Sequence, residues 1–219
     1  MNIADILTEL NRLPRTSFGV SVPDLRQLAR KIARQDYMIL QNETLLETFE
    51  LRLLHAFVLG YARDTLPNLL QHFAQFIPYV NDWAICDSLC QNFTIARIYP
   101  QQVWDFLIPY SRAQQEFEIR IVAIMLLSHY LNDEYLDLVL RVLDSLKAEK
   151  YYAQMGVAWA LATICAKYPA QCLLYLQSPN NLNHTTFRMA VRKICESFRV
   201  SEIIKQKVKN LKHLNTVSE

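Results

Sequence analysis

The sequence predicts an all-α protein, and three observations point there. Glycine occurs 3 times in 219 residues, where average usage of ~7% would give about 15. No Asn-Gly or Asp-Gly pair occurs, so the tight positive-φ turns of a sheet protein have almost nothing to be built from. Apolar residues instead recur at three- and four-residue spacing, the period of a helix with one buried face. The one Gly-containing turn candidate is Phe18-Gly19-Val20.

Twelve helices follow, at about 2–11, 22–35, 44–62, 66–76, 83–96, 100–112, 116–131, 133–147, 150–167, 169–177, 183–197 and 201–211. Leu45, Phe49, Leu53 and Phe57 mark the apolar stripe of the third. Pro67, Pro100 and Pro169 open the fourth, sixth and tenth, where a missing N–H costs little. Ile85, Leu89 and Phe93 form the buried stripe of the fifth, and Val122, Met125, Leu126, His129 and Tyr130 that of the seventh. The helices pair. Those starting near 83, 116 and 150 alternate with those starting near 100, 133 and 169, a period of about 33–36 residues. Two-helix units of that length predict an α-solenoid of about six HEAT-like helix pairs, with a compact all-α bundle as the competing arrangement. Residues 1–212 read as one continuous domain and 213–219 as a frayed polar tail.

Composition narrows the function classes. Charged residues make up 20% and the net charge is +2, so overall charge selects no partner. No run reaches the ~18 apolar residues of a membrane span, and the N-terminus lacks signal-peptide character. Five cysteines inside apolar helical patterns read as reduced core thiols, which predicts a cytoplasmic protein. Phosphate loops of the GxGxxG or Walker type are absent from the sequence. Cys86 and Cys90 lack companions at zinc spacing, so no metal site is expected.

The chemistry-bearing candidates share a phase. Trp83 and Asp87 are four residues apart, one turn apart on one helix face. Arg120 follows Asp87 by 33 residues and Trp159 follows Arg120 by 39, each about one repeat. All four fall on the first helix of successive pairs, where a solenoid stacks equivalent positions on its concave face. Taken singly, Trp83 reads more readily as core and Asp87 as a residue that caps or pairs locally.

This set resembles the Trp-x-x-x-Asp, Arg, Trp pattern of the AlkD-type DNA alkylation repair family, the HEAT-like-repeat DNA glycosylases. The similarity continues in Phe18-Gly19-Val20 with Pro23 and Arg26, in Arg120 to Leu126, in Lys167-Tyr168-Pro169 and in Arg188 to Arg199, and covers about residues 10–212. It implies excision of purines alkylated at N3 or N7, whose positive charge makes them good leaving groups. Asp87 would stabilise the oxocarbenium-like sugar and orient water, and Trp83 and Trp159 would face the cationic nucleotide. Arg120 would hold a backbone phosphate or position the carboxylate. A charged leaving group needs no electrophilic help, so no cofactor is expected. Alkylated or otherwise distorted duplex DNA is the expected partner and a monomer the expected state.

Compared with the family pattern the chain lacks about one N-terminal helix, which predicts a weaker grip on duplex DNA or a preference for a different DNA structure. The candidate phosphate contacts are Arg26, Arg30, Arg188, Arg192, Lys193 and Arg199, within basic clusters that a solvated helix surface explains equally. Two alternatives stay open: a family member that binds damaged or branched DNA without excision, and a HEAT scaffold for a protein partner.

Overall fold

A computed structural model describes residues 2–17, 19–35, 37–38 and 46–211. Phe18, the start of the third predicted helix and the predicted tail at 213–219 lie outside them. The described residues form an all-α protein of twelve α-helices: α1 (Ile3–Arg12), α2 (Val22–Gln35), α3 (Phe49–Tyr61), α4 (Leu66–Phe76), α5 (Trp83–Asn92), α6 (Pro100–Leu107), α7 (Glu116–His129), α8 (Leu136–Ser145), α9 (Tyr151–Lys167), α10 (Pro169–Gln177), α11 (His184–Glu196) and α12 (Glu202–Lys209). None is long and apolar enough to cross a membrane.

The eighth helix is trimmed at both ends, and the fifth and sixth stop early, each running on into a 3-10 segment. The sixth stops at Leu107 and continues as 3-10 turns over Ile108–Arg112, because Pro109 has no N–H to donate and its ring crowds the preceding turn. The fifth stops at Asn92, where Phe93 leaves helical geometry at φ −77° and ψ 59°, before the 3-10 segment Thr94–Arg97. One two-residue hairpin was not expected. β1 (Arg15–Thr16) pairs antiparallel with β2 (Gly19–Val20), and Gly19 supplies the positive φ of +94°. Glu50 fastens this hairpin, accepting from Arg15 Nη1 at 3.0 Å and from the Val20 amide at 3.1 Å.

The chain forms two compact units, Met1–Val103 and Trp104–Glu219. In the first, α3 packs on both α2 and α5, so its buried residues run round the whole helix from Leu51 to Leu59. Gly60 lets α3 approach α5. A Cβ there would sit 2.5 Å from Asn92 Cβ and 3.0 Å from the Asn92 carbonyl oxygen. Gly60→Ala is therefore expected to destabilise the protein by about 1–3 kcal/mol despite its better helix propensity. Thermal unfolding followed by circular dichroism checks this, and an unchanged midpoint would contradict the close approach. Beneath α3, the His55 ring stacks on Phe76 at 4.0 Å, and His72 meets Tyr37 edge-on at 5.3 Å.

In the second unit, α9 packs on both α7 and α11. Helices flanked in this way must be apolar on several sides. Accordingly α7 is buried continuously from Ile119 to Leu126, whereas α8 buries only Leu136, Val139 and Leu143 along one stripe. All five cysteines are free thiols, four buried and Cys195 partly so.

Candidate functional site

In the first unit the candidate residues sit on α5. Asp82 caps this helix, its carboxylate accepting from the Ala84 amide at 2.7 Å. The cap starts the helix at Trp83 and so puts Asp87 one turn along it. The environments of the two differ sharply. Asp87 is 7% exposed, between fully buried Cys86 and half-buried Ser88, while Trp83 is 51% exposed. A buried acid one turn from an exposed indole is an unusual pairing, since carboxylates are seldom buried and exposed tryptophans are scarce.

Arg26 reaches this helix too. Its Nη1 donates to Asn92 Oδ1 and to the Tyr61 hydroxyl, each at 3.1 Å, and its guanidinium lies 4.5 Å from the centre of the Phe57 ring. Arg26 thus ties α2 to α3 and to the end of α5. Arg30, one turn on, stays exposed above Tyr61 at 5.0 Å. It lines an open groove of about 630 Å³ together with Glu9, Arg12, Asp24, Lys31 and Arg34.

In the second unit Arg120 lies on α7 and Trp159 on α9. Arg120 is 4% exposed, and its Nη1 donates to the Tyr152 carbonyl at 2.8 Å. Gly156 makes room for it: a Cβ there would meet Arg120 Cγ at 3.2 Å and Ala123 Cβ at 3.5 Å. The first turn of α9 has no cap of its own, since Lys150 at the N-cap position gives no side-chain bond. Glu116 substitutes from α7, accepting from the Tyr152 amide at 2.6 Å. Tyr152 is therefore held by both its N–H and its C=O, and its ring stacks on Phe117 at 5.5 Å. Tyr151, exposed, packs edge-on against it at 5.2 Å. Trp159 is half-buried two turns further along α9.

Arg188, Arg192 and Lys193 share α11, and Arg199 follows its end. Arg192 pairs with Glu196 at 2.8 Å and Lys193 with the same carboxylate at 3.3 Å, which lowers the Glu196 pKa through those cations. Arg188 and Arg199 are exposed.

Spacing alone did not mark Glu116, Tyr151, Tyr152 or Gly156. Only Gly156 carried a signal. A chain with three glycines places one mid-helix only where a side chain has no room.

Searches of curated proteins and of solved structures returned no match to this chain. The family model described as DNA alkylation repair enzyme matches residues 4–194. The helices that carry Trp83, Asp87, Arg120 and Trp159 all lie inside that span, and the chain belongs to the DNA alkylation repair enzyme family.

Proposed function

We propose that this family member is a DNA glycosylase acting on purines that carry a positive charge through alkylation at N3 or N7. The observation that carries the reading is the buried Asp87 carboxylate one turn from the exposed Trp83 on α5. In such a substrate the bond between C1′ and the ring nitrogen breaks with its electron pair leaving on the base. The base departs neutral and the sugar becomes oxocarbenium-like. A carboxylate held out of bulk water attracts that cation more strongly than a solvated one would, and it orients the water that adds at C1′. Trp83 offers the cationic nucleotide an electron-rich face, and the family pattern assigns the same use to Trp159. Arg120 is 4% exposed. Its contact with Tyr152 suits a positioning role at the start of α9.

Single-turnover release of 3-methyladenine and 7-methylguanine from methylated duplex DNA, quantified by mass spectrometry with protein in excess, tests the reading. Release above the spontaneous rate is expected. Tight DNA binding without release would replace the glycosylase with a non-catalytic binder of damaged DNA.

A further inference from the structure

We propose that Phe198 is a stacking finger that packs against an unpaired or displaced base of bound DNA, a role that rests on the DNA reading above. Phe198 is 103% exposed, the most exposed of the large apolar side chains among the described residues. Its backbone is nonetheless held in place. Ser197 ends α11 by donating its amide to the Ile194 carbonyl at 3.2 Å, and its hydroxyl accepts from the Arg199 amide at 3.3 Å. The Val200 amide returns to the Ser197 carbonyl at 3.4 Å, and the Val200 side chain is buried. Ser201 then caps α12, accepting from the Ile204 amide at 3.4 Å. The turn is anchored on both sides and from below, so the one ring it leaves in water is presented by a fixed backbone. An aromatic side chain so presented loses little freedom when it meets a flat partner.

Charge selects the partner. Between Arg188 and Lys209 the chain carries seven basic residues and two acidic ones, a local balance of 7 − 2 = +5. Arg192, Lys193 and Lys205 are paired with Glu196 or Glu202, while Arg199, the next residue in the chain after Phe198, has no ion pair among the described residues. An exposed aromatic ring among cations matches a nucleic acid, whose bases stack and whose phosphates attract, better than it matches an apolar protein groove. Duplex DNA buries its bases, so the ring can stack only where a base is unstacked. A damaged or helically distorted site provides that.

The test compares wild type, Phe198→Ala and Phe198→Trp in binding fluorescein-labelled duplexes that are either fully paired or carry a single-nucleotide bulge. Stacking on one base is worth ~1–3 kcal/mol, so Phe198→Ala is expected to weaken bulge binding by roughly 5- to 150-fold. Fully paired binding should change little, Phe198→Trp should keep the bulge preference, and 2-aminopurine in the bulge should be quenched by wild type alone of the first two. Equal affinity of wild type and Phe198→Ala for the bulge overturns the proposal and leaves a protein contact as the use of the ring. Wild-type release of methylated bases alongside that result would show that the finger fails while the glycosylase reading stands. If wild type binds neither duplex, the DNA reading falls and the finger with it.

Discussion

Asp87→Asn is expected to slow excision of 7-methylguanine by on the order of 10²–10³ under single-turnover conditions, the scale of losing one preorganised electrostatic group. Asp87 is 7% exposed on α5, so in the proposed reaction its charge acts without much competition from water. Asparagine keeps the shape and two polar atoms but removes the charge that a developing oxocarbenium needs. Affinity for unmethylated duplex should stay within a few-fold, because a phosphate-dominated contact gains nothing from a buried anion. Trp83→Ala supplies a second readout that cannot be blamed on misfolding, since Trp83 is half in solvent. Losing a cation–π contact of ~0.5–2 kcal/mol predicts a rate lower by a few-fold to about 30-fold. Excision by Asp87→Asn at the wild-type rate, with the variant folded by circular dichroism, would falsify the assigned role.

Acid should unfold this protein earlier than its carboxylates alone require. Burial, with the neighbouring His72 adding to it, holds the His55 pKa at about 3 against an ordinary 6.5. Among the described residues its Nδ1 has no hydrogen-bond partner, so the folded state offers the proton nothing to offset desolvation. The unfolded chain takes up that proton near pH 6.5, and the folded chain does so only near pH 3. The neutral ring's contribution is therefore complete above pH 6.5 and is lost as pH falls towards 3. His72 is also lowered by burial, with Asp64 opposing, and so adds in the same direction. Asp64, depressed by its bonds from Tyr37, Thr65 and Asn68, gives up its contribution only below its ordinary value of 3.8. Between pH 7 and pH 4.5 the histidines thus dominate, and a loss of about 2–3 kcal/mol is expected from His55. Urea unfolding at the two pH values measures it. His55→Phe keeps the ring against Phe76 and removes the titration, so its stability should differ much less between them. An undiminished difference in that variant would assign the pH dependence elsewhere.

Much of the helical frame was readable because its signals are local. The bounds of α2, α4 and α10 coincide with those expected from apolar spacing and proline placement. The α5 stripe of Ile85, Leu89 and Phe93 is buried as the spacing predicts. The misses are of another kind. Pro109 divides a continuous apolar pattern into α-helix and 3-10 turns, and periodicity cannot register that change of pitch. The hairpin at Arg15–Val20 depends on Glu50, 30 residues beyond Val20, so no window along the chain contains its cause. The candidate site divides in the same way. Placing Trp83 and Asp87 on one helix needs only a count of four, but their opposite exposures come from what α5 packs against. The basic residues show the limit most plainly. Arg26 and Arg30 look alike in sequence, yet one is committed to Asn92 and Tyr61 while the other faces water.

The carboxylate of Glu116 at the head of α9 has a consequence for motion. An ordinary first-turn amide exchanges its hydrogen whenever the helix end frays. The Tyr152 amide is instead bonded to a side chain on another helix, and the carbonyl of the same residue to Arg120. Its exchange therefore requires the Glu116 carboxylate to let go, which makes that single amide a probe of how often this contact between α7 and α9 opens. Slow exchange at Tyr152 beside fast exchange at Tyr151 would mark the start of α9 as a latch, closed from outside the helix it begins.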